Sequence, residues 1–266
     1  MSMGVLKLKQ AGSGNDIAKR AELFGDSVMR RANLLRKQAP DDADKPSLLF
    51  FLAESLAMAE PALRQTRAPL VLAPARQRKI VILLPGFAAH PLRMRYMAQK
   101  LEEAGHKVKQ WGMGFNFGPS EEVLEFLARR VQHVHGRYGQ QVVLVGWSLG
   151  GIFAREIAKR HPDLVEKVVT MGSPFSHTPY SNNVWRVYQL ITGHSVEEPP
   201  IDADISSKPP VETVAFWSPR DGVVAARSAC GKPEERDRAR ALRCSHMGFS
   251  NSAEVILALA EELDRA

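Results

Sequence analysis

Residues 142–151 have the sequence Val-Val-Leu-Val-Gly-Trp-Ser-Leu-Gly-Gly, the most informative stretch of the chain. The aliphatic run 142–145 predicts a strand buried on both faces, and a helical pattern follows from Gly150 to Arg160. The turn between them, 146–150, fits the pattern G-x-S-x-G. Glycines two positions before and after Ser148 remove Cβ atoms that would clash in so sharp a turn. Ser148 is therefore expected to stand clear of the sheet as a nucleophile.

Strands and helices alternate on both sides of this turn, which predicts an α/β fold with a mostly parallel sheet covered by helices on both faces. The predicted strands are 80–84, 107–111, 142–145, 165–171 and 211–217. The predicted helices are 91–104, 120–138, 150–160 and 251–263. This region, 79–266, is expected to be the catalytic domain. Residues 1–78 precede it as a helical extension, with helices predicted from about 15 to 37 and from 47 to about 65.

The interval 172–210 between two predicted strands is longer than a plain crossover needs. Trp185, Tyr188 and Ile191 fall on one helical face within it, and prolines follow. An apolar insertion at the carboxyl ends of parallel strands lies where ligands bind in such sheets. It is expected to be a lid that contributes these three side chains, together with Trp147, to a substrate pocket. A static, packed cover is the alternative.

A serine nucleophile in this setting needs an acid after a later strand and a histidine near the end of the chain. Asp221 follows the strand 211–217, and His246 precedes the last helix, after a strand expected to end at Cys244. Other acids are less suitable, because Asp202 and Asp204 lie in the insertion and Asp163 precedes its strand. The predicted triad is therefore Ser148, His246 as the base and Asp221 as its orienting partner.

The tetrahedral intermediate also needs two backbone donors for its oxyanion. The amide after the nucleophile, Leu149, is one candidate. The other is Phe87, in the loop that follows the strand 80–84, where Gly86 permits close approach of the backbone. A structural turn would also use Pro-Gly, so this assignment depends on the serine motif.

These motifs together resemble the α/β-hydrolase superfamily, specifically its bacterial lipase-like and esterase-like members. The resemblance covers 79–266 and includes the loop 111–119, which looks like that of a poorly characterised lipase-like subgroup. It implies a Ser–His–Asp ester hydrolase that needs no cofactor. Pro85 departs from the histidine that many relatives carry before the glycine. Residues 1–78 resemble no family we can name.

Composition narrows the choice of partner. The 44% hydrophobic and 24% charged residues are typical of a soluble globular protein, and a net charge of +7 without a reader motif argues against nucleic acid binding. The two cysteines, Cys230 and Cys244, lack metal-ligand spacing and are expected to be reduced. No transmembrane segment or secretion signal is recognised, so a cytoplasmic location is expected.

A small ester or acyl compound is the expected substrate. Peripheral membrane contact and the oligomeric state are left open. Three rival functions remain at this point. One is a thioesterase or acyltransferase with the same triad. The others are a non-catalytic binding protein that has kept the fold, and an interaction protein in which the N-terminal helices have the main role.

Overall fold

The computed structural model describes residues 14–41, 43–57, 69–201 and 203–265, with side chains from residue 25 onward. Its centre is a six-stranded sheet in the order β2-β1-β3-β4-β5-β6, in which every neighbouring pair is parallel. The strands are β1 Ile80–Leu84, β2 Lys107–Gln110, β3 Val142–Trp147, β4 Val165–Met171, β5 Glu212–Trp217 and β6 Arg238–Ala241. Parallel pairing places the carboxyl ends of all six strands at the same end of the sheet.

Helices cover both faces of the sheet, because alternate strand residues point to opposite sides. Val81 and Leu83 pack on one face with α3 (Arg95–Glu103) and α8 (Ala253–Leu263). Ile80 and Ile82 pack on the other face with α4 (Glu121–Tyr138) and α5 (Leu149–Arg160). The central strands β1 and β3 are buried along their whole length. The predicted fold class, a parallel sheet covered on both faces, is confirmed.

Two helices precede the sheet, as predicted: α1 Gly14–Arg36 and α2 Leu48–Ala57. The continuation expected for the second helix, up to about residue 65, lies outside the described residues. The insertion contains α6 (Trp185–Thr192), and α1 packs against it. Arg31 Nε donates to the Leu190 carbonyl at 2.9 Å, and Gln189 Nε2 donates to the Leu34 carbonyl at 2.9 Å. The insertion is thus held by the N-terminal extension.

The last strand and a short helix differ from the sequence prediction. β6 ends at Ala241, so the strand expected to reach Cys244 is shorter. The helix α7 (Ala226–Cys230) was not predicted. Both cysteines are free thiols, and burial raises the pKa of Cys244. Within the described residues, none of the helices combines the length and hydropathy that a membrane span requires.

Candidate active site

Ser148 occupies the turn between β3 and α5 with φ 54° and ψ −123°. This backbone conformation costs a non-glycine residue about 1–3 kcal/mol, so the surrounding structure must enforce it. A Cβ on Gly146 would lie 2.3 Å from the Gly150 carbonyl oxygen, and one on Gly150 would lie 2.3 Å from the Leu84 carbonyl oxygen. Only glycine fits at either position. The Ser148 amide donates to the Met171 carbonyl at 2.9 Å, which ties the turn to β4.

Asp221 and His246 form a buried pair beyond the ends of β5 and β6. His246 Nδ1 lies 2.8 Å from Asp221 Oδ2, and the two residues are 4% and 3% exposed. The other carboxylate oxygen, Oδ1, accepts the amides of Val223 and Val224 at 2.8 Å each. Both oxygens of Asp221 therefore have fixed partners, and its carboxylate holds one orientation.

The environment of His246 favours its protonated form. Burial works against the imidazolium, but the charge and hydrogen bond of Asp221, with a contribution from the charge of Glu54, outweigh it and raise the pKa of His246. The ring stays near the serine turn through Trp147, whose Nε1 donates to the His246 carbonyl at 3.1 Å. An imidazole in this environment is well suited to accept a proton.

Ser148 and His246 line the same cavity, of about 800 Å³, together with Trp147. A second, smaller cavity of about 130 Å³ also reaches Ser148 and shares Phe87 and Val184 with the first. His246 borders the large cavity and is absent from the lining of the small one. The serine therefore stands where two differently sized spaces meet.

The remaining predicted pocket residues do not all line the same cavity. Trp185 and Tyr188 line the small cavity, and burial raises the pKa of Tyr188 to about 12, so its hydroxyl stays neutral. Ile191 is 40% exposed and borders neither of these two cavities. It lines a separate space with Phe115 and Phe117, so the structure does not bring it to Ser148.

The two predicted oxyanion donors border the small cavity that reaches Ser148. Leu149 starts α5, Phe87 follows β1, and both line the small cavity. The Phe87 loop is held by Asn116, a fully buried side chain whose Nδ2 donates to the Pro85 carbonyl at 2.8 Å. The Asn116 backbone accepts the Ala88 amide at 2.7 Å and donates to the Ala89 carbonyl at 3.2 Å.

Asn116 and Glu54 were not singled out from the sequence. Asn116 stands within the loop 111–119, which contributed only to the family resemblance. Glu54 is on α2, in a segment that carries no recognisable motif, yet its carboxylate accepts three backbone amides beside Asp221 and His246. No signal in the sequence marked Glu54, apart from a single acid within the apolar run 48–57.

Among the described side chains, no three His, Cys, Asp or Glu residues are grouped so that they could hold a metal ion.

Comparison with known proteins agrees with the observed topology. A family model described as the alpha/beta hydrolase fold matches residues 79–192. The chain has the α/β-hydrolase fold. Among solved structures, the mature form of a Bacillus licheniformis lipase aligns with a TM-score of 0.55 at 14% identity, covering 74% of this chain and 96% of that one. A Rhodococcus 2-hydroxy-6-oxo-6-phenylhexa-2,4-dienoate hydrolase aligns at 0.53 with 14% identity, covering 73% and 92%.

Two curated bacterial relatives share a name, pimeloyl-[acyl-carrier protein] methyl ester esterase. The Klebsiella pneumoniae protein is 38% identical over 26% of this chain and 25% of its own length. The Nitrosospira multiformis protein is 27% identical over 41% of this chain and 44% of its own length. The matched part thus spans less than half of either relative.

Proposed function

We propose that this protein hydrolyses carboxylic esters through a covalent acyl-enzyme on Ser148. The main support is the buried Asp221–His246 pair on the same cavity as a serine held at positive φ. The names of the curated relatives, which are ester hydrolases, point in the same direction.

The proposed reaction begins when Ser148 Oγ bonds to the ester carbonyl carbon and its proton passes to His246 Nε2. Asp221 stabilises the imidazolium, and the amides of Phe87 and Leu149 donate to the oxyanion. The carbon–alkoxy bond then breaks as His246 returns the proton to the leaving oxygen. Water attacks the acyl-enzyme, gives its proton to His246, and releases the acid as Ser148 regains a proton.

The two cavities suggest how an ester would bind. The leaving oxygen must lie near His246, which protonates it, and His246 borders the large cavity but not the small one. The alcohol portion is therefore assigned to the large cavity, whose lining includes Arg95 and Gln99. The acyl chain is assigned to the small cavity, whose lining is mainly apolar and includes Ile152 and Trp185. The favoured substrate has a short apolar acyl chain and a larger leaving group.

Two ester series test this assignment. In the first, p-nitrophenyl esters run from acetate to decanoate, and kcat/KM should peak at a short acyl chain. In the second, the acyl group stays acetyl while the alcohol is lengthened. Then kcat/KM should rise or hold, because burying each added methylene contributes about 0.8 kcal/mol of binding free energy. A preference for long acyl chains with methanol as leaving group would reverse the assignment.

The nucleophile is tested separately by an organophosphonate, which should label Ser148 and abolish turnover. Labelling of another serine, or no turnover of any ester in the series, would refute ester hydrolysis by this site. Acyl transfer shares the acyl-enzyme and differs only in the second nucleophile. Partition of the acyl group between water and added alcohol or thiol separates transfer from hydrolysis.

A further inference from the structure

The N-terminal helix α2 is seated directly on the loop that carries the proposed acid. A Cβ built on Gly222 would lie 2.4 Å from the carbonyl carbon of Phe50, so only glycine permits this approach. Asn183 Nδ2 donates to the carbonyls of both Pro46 and Gly222, at 3.1 and 2.8 Å, and joins the chain before α2 to the same loop. The extension therefore contacts the site at backbone level, one residue from Asp221.

Glu54 is 6% exposed, whereas its neighbours Ala53 and Ser55 are exposed. Its Oε1 accepts the Gly222 amide at 3.0 Å and the His246 amide at 2.6 Å. Its Oε2 accepts the Met247 amide at 2.9 Å. One carboxylate thus joins the loop after β5 to the loop after β6.

Burying a carboxylate is costly unless hydrogen bonds compensate. Three backbone amides do so here, and hydrogen bonds to an ionised acceptor are about twice as strong as neutral ones. Each amide is fixed in its own loop, so the carboxylate sets the spacing between Gly222 and His246. That spacing in turn sets the distance from the Asp221 carboxylate to the imidazole.

We propose that Glu54 is a positioning residue of the active site. It fixes the spacing between the loop that contains Asp221 and Gly222 and the loop that contains His246 and Met247, and this spacing keeps Asp221 within hydrogen-bond distance of His246. This role rests on the proposed function. It makes the segment 46–57 part of the catalytic structure, although the family resemblance begins only at residue 79.

Glu54 also contributes negative charge beside His246. Among the described residues, the charged groups that act on this imidazole are Asp221 from the loop after β5 and Glu54 from α2. Ser148 borders the same cavity, and the Cys244 thiol, two residues earlier in the chain, has its pKa raised by burial. Removing the charge of Glu54 removes one of the contributions that raise the pKa of His246. Since the base must be neutral to act, the acidic limb of kcat should then move to lower pH.

The experiment compares Glu54→Gln, Glu54→Asp and Glu54→Ala with wild type. Glu262→Gln is the matched control, because Glu262 is similarly buried, at 4% exposed. It pairs with Lys167 and Arg238, which lie near the starts of β4 and β6, at the opposite end of the sheet from Ser148. The measurements are kcat and KM on a soluble ester across pH, the melting temperature, and amide hydrogen exchange in the loops at Gly222 and His246–Met247.

In Glu54→Gln the side chain keeps its size, but its NH2 group faces an amide donor, so kcat should fall about 10-fold. Glu54→Ala should lower kcat about 100-fold. KM should be nearly unchanged in both variants. Glu54→Gln should move the acidic limb to lower pH. Aspartate retains the charge, so its limb should return towards that of wild type. Exchange should accelerate at Gly222 and His246–Met247 in Glu54→Gln, but not in the control.

The positioning role is overturned if Glu54→Gln keeps kcat within twofold of wild type and its acidic limb at the wild-type pH. It is also overturned if Glu262→Gln loses as much kcat as Glu54→Gln for the same loss of melting temperature. Unchanged exchange in both loops would also overturn it. Failure of the proposed function gives a different result, because wild-type protein would then turn over no ester while the exchange measurement still reports on the three amides.

Discussion

Replacing Asp221 with asparagine tests the proposed triad without removing a side chain. The Oδ1 atom of Asp221 already accepts two amides, from Val223 and Val224. The asparagine oxygen should take that position, which turns its NH2 group towards His246 Nδ1. Nδ1 then accepts a hydrogen bond, the ring proton moves to Nε2, and His246 cannot take the proton of Ser148.

The wrong tautomer in a serine triad costs about 10⁴ in kcat, which corresponds to about 5 kcal/mol of transition-state stabilisation. KM should change little, because Asp221 is buried behind the histidine. The residual activity should show its acidic limb at lower pH than wild type, because Asp221 raises the pKa of His246. Initial rates of p-nitrophenyl acetate hydrolysis between pH 5 and 9 measure both effects.

A matched control is Asp237→Asn, since Asp237 Oδ2 also accepts a backbone amide, that of Thr213 at 2.8 Å, but at the opposite end of β5. It should leave kcat unchanged. If Asp221→Asn lowers kcat by less than tenfold, or if its acidic limb stays at the wild-type position, Asp221 does not set the tautomer of His246 and the assignment of the acid is wrong.

Three further predictions follow from the same site. Ser148→Ala and His246→Ala should each lower kcat by several orders of magnitude and the double variant little further, because the residues act as a unit; additive losses would contradict this. Asn116→Ala removes the hydrogen bond to the Pro85 carbonyl and should lower kcat about 100-fold with a modest change in KM. If kcat falls only in proportion to the loss of melting temperature, Asn116 has a packing role. Trp185→Ala enlarges the small cavity and should shift kcat/KM towards longer acyl chains in the p-nitrophenyl series; an unchanged chain-length profile would remove Trp185 from the acyl pocket.

The strand that carries Ser148 and its neighbour β4 could be predicted because their signals are local. Val142–Val145 is a continuous aliphatic run, and the glycines around Ser148 are required by contacts within a few residues. The strand 165–171 was predicted with the observed bounds. Chain order then placed Asp221 and His246, and the structure brings them to 2.8 Å.

Features that depend on tertiary packing were not predictable in this way. β6 has the sequence Arg-Ala-Arg-Ala and lacks the aliphatic pattern of a buried strand, because it lies at the edge of the sheet. Ile191 follows the helical periodicity of Trp185 and Tyr188, but α6 is oriented so that Ile191 faces another space. The role of Glu54 depends on where α2 docks, which no local pattern encodes.

The contacts of Glu54 also bear on the order in which the molecule folds. They join residues separated by 168, 192 and 193 positions in sequence, so closing them carries a large cost in chain entropy. During synthesis α2 emerges well before the loop at His246. The central sheet can assemble before these two segments meet. Hydrolytic competence should therefore be the last property to form, and during refolding its recovery should lag behind the return of helical circular dichroism.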